Sequence, residues 1–426
     1  MNHLTTAGLP CNAVLCRYAE IAIKKGGRSA FERMLVRNIA RALREWPDLQ
    51  VQRIWGRIMV VRPKYIAFTP EMITDISRKL TWVFGVDSFS LGVRTPTAIP
   101  EIEEIVDRIV DIGYRELAAT HEVVTYRTRA RRGEKSFPLS SEEIEIHFAD
   151  RLLPKYDRLK IHLNDDAMLT VWVEVREQWT FIFADEQLGP GGLPIGSNGR
   201  AMVMLSGGID SPIAAYLTMK RGCRVDFLTF HSFPYTEQES IEKVAKLATV
   251  LNRYQKAGRV WACNMLGAQR AVRDGCTERF RTVLYRRIMT RVSGRLAYAL
   301  YRTALVTGDA LGQVASQTLP NMDVINRATD MLILRPLLGM DKRETVAIAR
   351  RIETYDISKQ QCADSCTVFM PDSPATKATV EEIEREEAKL DMDALIEVCL
   401  NNVTVINTKT FEEVPFEFRE RREGDE

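Results

Sequence analysis

Ser206-Gly207-Gly208-Ile209-Asp210-Ser211 lies between a short apolar run, AMVML at 201–205, and a helical pattern, PIAAYLT at 212–218. The order predicts a strand, a tight loop and a helix start. Gly207 and Gly208 let the backbone come close to a ligand, because neither carries a Cβ. The helix that follows turns free N–H groups and the positive end of its dipole toward the loop, which suits a phosphate. Ser206 and Ser211 are expected to add hydroxyl donors. Pro212 suits the first turn of a helix, where its missing N–H costs nothing. Asp210 would repel a bare phosphate, so its expected task is to help hold Mg²⁺, which binds through one or two carboxylates together with phosphates. No Gly-Lys-Ser/Thr closes the loop, so it is not the common mononucleotide P-loop. The plainer alternative is a Ser-Gly-Gly turn with no ligand.

Downstream of the loop, strands and helices alternate. RVDFLTFH (224–231), RVWACN (259–264) and TALVTG (303–308) read as strands, and SIEKVAKLATVLNRY (240–254) and ETVAIARRIE (344–353) as helices. Such alternation predicts a parallel sheet covered on both faces. Upstream, the Gly- and Pro-rich stretch QLGPGGLPIGSNG (187–199) marks the main domain boundary. Before it, residues 12–85 run strand–helix–strand–strand–helix, the start of a ferredoxin-like α+β domain. A second α+β unit follows. It has an amphipathic helix at 100–120, a strand VVTYRTRA at 123–130, and a helix from 140 that Ser140 or Ser141 would cap. The expected domains are 1–80, 81–188 and 189–395, with a C-terminal tail at 396–426.

At 426 residues, the chain is long enough for two or three domains. Its 45% hydrophobic and 27% charged content is that of an ordinary globular protein. No apolar run reaches the roughly 18 residues of a membrane span, and the first residues, MNHLTTAGLP, do not read as a secretory signal. A cytoplasmic protein without membrane contact is expected. Net charge is only +2, so bulk charge announces no nucleic acid. Local charge does: residues 125–135, TYRTRARRGEK, hold five basic groups against one acid. Arg127, Arg129, Arg131, Arg132 and Lys135 are the candidate phosphate grip. Arg287, Arg291 and Arg295 fall at i, i+4 and i+8, on one face of a helix. That face either guides an RNA backbone or is simply solvated.

Several blocks resemble one family, the tRNA 4-thiouridine synthases or tRNA sulfurtransferases, which also serve thiamine thiazole synthesis. Arg17-Tyr18-Ala19-Glu20-Ile21-Ala22-Ile23-Lys24 is similar to its entry motif, with Ala19 in place of a commoner glycine. Arg129-Ala130-Arg131-Arg132 through Lys135-Ser136-Phe137-Pro138 resembles the core of its THUMP RNA-binding domain. Gly191-Gly192-Leu193-Pro194 resembles the domain junction. Leu205 to Pro212 is similar to the PP-loop of ATP pyrophosphatases, which cleave ATP between the α- and β-phosphates and adenylate a substrate. Thr307-Gly308-Asp309-Ala310-Leu311-Gly312-Gln313-Val314-Ala315-Ser316-Gln317-Thr318 and Pro336-Leu337-Leu338-Gly339-Met340-Asp341-Lys342 follow in the family's order. The resemblance covers about residues 12–390. It implies ferredoxin-like and THUMP domains followed by an adenine-nucleotide α-hydrolase-like domain. It also implies that Met204, Leu205, Ser206, Gly207, Gly208, Asp210, Ser211, Thr229, Phe230, Arg286, Gly308 and Gln317 bind ATP, and that Lys342 stabilises charge on the phosphates. The implied partners are tRNA, a cysteine desulfurase, a thiazole-pathway sulfur carrier and a second copy of the chain.

A carbonyl at C4 of uridine is a poor electrophile until adenylation makes its oxygen a leaving group, and sulfur is nucleophilic enough near neutral pH to displace it. Asp364-Ser365-Cys366-Thr367-Val368-Phe369 resembles the family's sulfur-relay loop, which makes Cys366 the persulfide carrier. Many relatives have two adjacent cysteines here, whereas this chain has Ser365. Cys362 then either resolves a persulfide or is a passenger. Two cysteines four apart, without further ligands nearby, make a poor zinc site. Two other readings remain: a different adenylating PP-loop enzyme, and a tRNA-binding or sulfur-carrier protein without thiolation activity.

Overall fold

The computed structural model describes residues 8–24, 26–362 and 368–421. The chain divides into two compact units, Met1–Pro194 and Ile195–Glu426. The boundary therefore falls inside the Gly/Pro-rich stretch, six residues beyond the expected 188/189.

The first unit opens with β1 (Ala13–Arg17), α1 (Arg28–Ala42), β2 (Gln50–Ile54), β3 (Arg57–Val61), α2 (Pro70–Leu80) and β4 (Ser88–Thr95). These strands lie in the antiparallel order β2-β3-β1-β4, the ferredoxin-like arrangement. Thr69 caps α2 by accepting the Met72 N–H, with Pro70 in the first turn. Met72, Ile76 and Leu80, spaced by four, are buried against Leu35 and Ile39 of α1. The unit continues through α3 (Ile99–Ala118), β5 (Val124–Arg132), α4 (Ser141–Leu152), β6 (Leu159–Ile161), β7 (Leu169–Val175), β8 (Thr180–Phe183) and β9 (Gln187–Leu188). Ser140 is the cap of α4, in a reciprocal box with Glu143. The expected break at 80/81 falls just before β4. Its residues 88–92 pair with β1 and residues 93–95 pair with β8, so one strand serves both halves of a nine-stranded sheet.

The second unit contains β10 (Arg200–Met204), α5 (Asp210–Lys220), β11 (Arg224–His231), α6 (Gln238–Leu251), β12 (Val260–Asn264), α7 (Leu266–Gly275), α8 (Arg281–Ala299), β13 (Ala304–Val306), α9 (Leu319–Asn326), β14 (Leu332–Leu334), α10 (Lys342–Arg351), α11 (Tyr355–Ser358), α12 (Val380–Glu387), α13 (Met392–Asn401), β15 (Val403–Ile406) and β16 (Glu413–Pro415). Sheet order is β14-β13-β10-β11-β12-β15-β16. The first five strands are parallel, and β15 and β16 add antiparallel at one edge. The expected tail at 396–426 is thus corrected: α13 runs to Asn401 and the next two strands extend the sheet. Phe416 sets its ring edge-on to Trp261, 6.3 Å between centroids, which holds this segment down. Because β11 and β13 lie on opposite sides of β10, the order in which strands are added across the sheet reverses there. In open parallel sheets, that switch point leaves a crevice beyond the carboxyl ends of the strands.

The helix α8 packs Leu284, Ile288, Val292 and Leu296 onto Met202, Leu228, Trp261 and Leu305 of the sheet. Its arginines do not form a free RNA-guiding face. Arg287 is buried and grips Glu387 with two hydrogen bonds, 2.7 and 2.9 Å, and Arg291 adds two more at 2.6 and 2.9 Å. Arg295 pairs with Glu397 and Glu420. Burial works against charge on Glu387, but the two guanidiniums outweigh it and hold the carboxyl below its usual range. Removing one partner of a buried pair strands the other. Arg287→Ala should therefore lower the unfolding free energy by about 3 kcal/mol, read by chemical denaturation, whereas a solvated face would give no measurable change.

Candidate functional site

The crevice at the switch point is a cavity of ≈ 330 Å³, and all twelve residues expected to bind ATP line it. Met204 and Leu205 come from the end of β10, Thr229 and Phe230 from the end of β11, Arg286 from α8, and Gly308 and Gln317 from the segment after β13. The volume is within the range of small-ligand sites, roughly 300–1,000 Å³.

The loop between β10 and α5 is held by its own serines. The Ser206 N–H donates to Ser211 Oγ at 2.9 Å, the Ser211 hydroxyl donates to the Ser206 carbonyl at 3.2 Å, and the Gly208 N–H donates to Ser206 Oγ at 3.3 Å. Ser211 therefore shapes the loop. The position at which only glycine fits is Gly308. A Cβ there would lie 2.6 Å from the Ser211 nitrogen and 2.8 Å from its Cα, both backbone atoms that cannot swing away. At Gly207 the nearest atom to an added Cβ is the Lys243 side chain, at 3.1 Å.

Charge is arranged in two clusters. At the rim, Lys342 Nζ donates to both Asp210 oxygens, at 2.9 and 3.2 Å, and Gln313 Nε2 donates to Asp210 at 2.9 Å. Deeper, Asp309 is buried and bonded to Arg286, accepts the Thr307 hydroxyl at 2.7 Å, and faces Arg335 Nε at 3.4 Å. Burial would push this carboxyl up, but the Arg286 charge, the Thr307 hydroxyl and the Arg335 charge together hold it below its ordinary value. Among the described residues, no group of three or more His, Cys, Asp or Glu side chains could hold a metal by itself. A lone carboxylate such as Asp210 suits a Mg²⁺ ion that arrives on phosphates.

Cys362 lines the same cavity. The segment carrying it is tied once to the loop and once to α6: Ser358 Oγ donates to the Gly208 carbonyl at 3.2 Å, and Lys243 Nζ donates to the Gln360 carbonyl at 2.6 Å. Cys366 lies outside the described residues. His231, Lys243 and Asp309 are among the lining residues that sequence reasoning overlooked. Asp309 was visible inside the Thr307–Thr318 block. Lys243 looks like any solvent-facing lysine of an amphipathic helix, and His231 like the last residue of a strand.

In the first unit, Arg127 leaves the candidate RNA grip. It is buried and donates to Asp165 at 2.9 Å, a carboxylate that it shares with Arg129 at 2.8 Å. Arg131 and Lys135 are exposed, and Arg132 is half-buried with its guanidinium reaching the Phe137 carbonyl at 3.4 Å.

The Asp309 cluster gives a pH signature. Its carboxyl sits lower in the folded state than in the unfolded one, so its stabilisation is complete above the ordinary carboxylate range, near pH 4, and is lost as pH falls through the depressed value. Thermal melts of wild type and Asp309→Asn should therefore differ most near pH 6 and converge in strong acid.

Comparison with known proteins agrees with this geometry. The family model described as Thiamine biosynthesis protein (ThiI) matches residues 196–392, and that of the ThiI ferredoxin-like domain matches 13–90. A probable tRNA sulfurtransferase of Alkaliphilus oremlandii is 36% identical over 92% of this chain and 98% of its own length. One from Caldanaerobacter subterraneus subsp. tengcongensis is 38% identical over 91% and 97%. A crystal structure of a 4-thiouridine synthetase–RNA complex with bound ATP superposes with a TM-score of 0.81 and 32% identity, covering 93% of this chain and 100% of that one. With relatives at 36% and 38% identity over 92% and 91% of its length and both family models matched, the chain belongs to the ThiI family of tRNA sulfurtransferases.

Proposed function

We propose that this chain is an ATP-dependent tRNA sulfurtransferase that converts uridine to 4-thiouridine at position 8 of tRNA. The observation that carries the reading is one cavity at the switch point that unites the loop 206–211, the ends of β11 and β13, and Cys362. The ATP-bound 4-thiouridine synthetase of the same fold supports ATP as the ligand.

ATP would lie with its phosphates on the loop and the N-terminus of α5, and its adenosine along Thr229, Phe230 and Arg286. Lys342, parked on Asp210 at the rim, is placed to turn to the phosphates as charge builds there, a task suited to a point charge. Mg²⁺ held on Asp210 would neutralise the departing pyrophosphate. The C4 oxygen of uridine attacks the α-phosphorus, and pyrophosphate leaves. A persulfide on Cys366, charged by a cysteine desulfurase, then attacks C4 through its terminal sulfur and expels AMP. A second thiol, Cys362, attacks the Cys366 sulfur, breaks the S–S bond and releases the thiolated base, leaving a Cys362–Cys366 disulfide for an external thiol to reduce. The desulfurase, a homodimeric state, a cytoplasmic setting and a sulfur supply to thiazole synthesis belong to the same proposal.

Cys366→Ser should release pyrophosphate with ATP and tRNA yet form no 4-thiouridine, read by mass analysis of tRNA nucleosides. Normal thiolation by that variant would remove the sulfur-transfer role. Cys362→Ser should expel AMP but stop with the base joined to Cys366 through an unbroken S–S bond, whereas unimpaired multiple turnover would make Cys362 a passenger.

For tRNA, the exposed Arg131 and Lys135 are the expected phosphate contacts. Affinity should fall steeply with salt. Arg131→Ala should reduce the slope of log affinity against log salt by about 1, as loss of one phosphate contact does.

A further inference from the structure

A second cavity, of ≈ 370 Å³, adjoins the first, and the two share His231 and Ile241 as lining residues. Its other walls include Phe233, Thr236, Asn264 and Glu413. Phe233 is 57% exposed at this site, a large apolar ring left in solvent. Glu413 is fixed by accepting the Thr404 hydroxyl. None of these groups has a task in the reaction described above.

His231 is only 7% exposed, and among the described residues its buried Nδ1 has no hydrogen-bond partner. Buried polar atoms are normally satisfied, so an orphan calls for an explanation. The chemistry supplies one. The C4 oxygen of uracil is a weak nucleophile while N3 keeps its hydrogen, and becomes a strong one as that proton leaves. A proton acceptor is therefore needed beside the nucleotide. The carboxylates of the first cavity have other tasks, Asp210 with Lys342 or the Mg²⁺ proposed above and Asp309 with Arg286 and Arg335.

We propose that the second cavity receives the target pyrimidine and that His231, on the shared wall, takes the N3 proton as the C4 oxygen attacks the α-phosphorus. The inference rests on the adenylation reading above. In this step the N3–H bond breaks and its proton goes to the imidazole. The O4–P bond forms, and the bond from the α-phosphorus to the bridging oxygen breaks, its electron pair leaving with pyrophosphate. The base is left neutral, with a double bond between C4 and N3. Once sulfur has displaced AMP and the S–S bond has broken, the imidazolium returns a proton to N3. Burial pushes the His231 imidazole toward its neutral form, against the opposing pull of Glu413, so the acceptor is ready near neutral pH. Cytosine carries no hydrogen at N3, so the same arrangement selects uracil. Phe233 at the rim offers a face on which an unstacked base can rest, as aromatic side chains do in RNA recognition.

The test measures ATP affinity and tRNA-dependent pyrophosphate release for wild type, His231→Gln and Phe233→Ala. The tRNA carries either uridine or 5-fluorouridine at the target position; fluorine makes N3–H more acidic. His231→Gln should bind ATP within about threefold of wild type and release pyrophosphate at least ~100-fold more slowly, the usual size of a general-base effect. 5-Fluorouridine should recover a tenfold or greater part of that loss, which a merely structural role would not allow. Phe233→Ala, an exposed change that should not disturb folding, should raise the tRNA concentration for half-maximal rate at least fivefold with ATP affinity unchanged. A His231→Gln chain that keeps pace with wild type, or is equally slow on both tRNAs, would overturn the inference. So would a Phe233→Ala chain indistinguishable from wild type. A wild type that releases no pyrophosphate with either tRNA is a separate result, which would overturn the proposed function itself.

Discussion

The approach of Gly308 to the backbone of Ser211 is the contact on which the site depends. With no room for a Cβ between them, the end of β13 and the start of α5 are locked at a distance that only glycine permits. That contact sets the first turn of α5 against the switch point of the sheet. The loop before it is then closed by Ser206 and Ser211, whose bonds run to each other and to Ser206's own backbone. A phosphate site built this way is formed before its ligand arrives, because backbone N–H groups in a fixed turn need no reorganisation when charge develops.

Around that frame, charges stand in pairs. Lys342 rests on Asp210, and Asp309 anchors Arg286 beneath the cavity. The deeper cluster is structural: a buried carboxylate with two guanidiniums and a hydroxyl fixes where Arg286 stands. The rim pair is exchangeable, since the Lys342 side chain is half-exposed and sits at the cavity mouth. The cysteine-bearing segment joins the same frame through Ser358 and Lys243, which bond to Gly208 and Gln360. Loop, cation and cysteine segment are thereby one connected unit.

The loop could be read from sequence because Ser206, Gly207, Gly208, Asp210 and Ser211 each have a local physical reason to be there, and the alternation around it dictates a parallel sheet. Features that join distant residues could not. Arg287 and Arg295 look like a solvated helical face until Glu387, Glu397 and Glu420, at 100 to 125 residues' separation, close on them. Arg127 looks like its neighbours until Asp165 meets it across the sheet. The strands β15 and β16, of four and three residues, are too short for a pattern and are recognised only by their pairing with β12 and with each other. Gly308 was legible as part of a block, whereas the steric reason for it appears only when β13 and α5 are brought together.

Everything in the chemistry follows from activation of the uridine C4 oxygen by AMP in the cavity at the switch point. The most direct measurement uses tRNA whose target uridine carries ¹⁸O at C4, followed by mass analysis of the AMP formed in a single turnover with ATP and a persulfide donor. One ¹⁸O atom in AMP for each 4-thiouridine is the predicted result. AMP free of the label, with 4-thiouridine formed in equal amount, would contradict it.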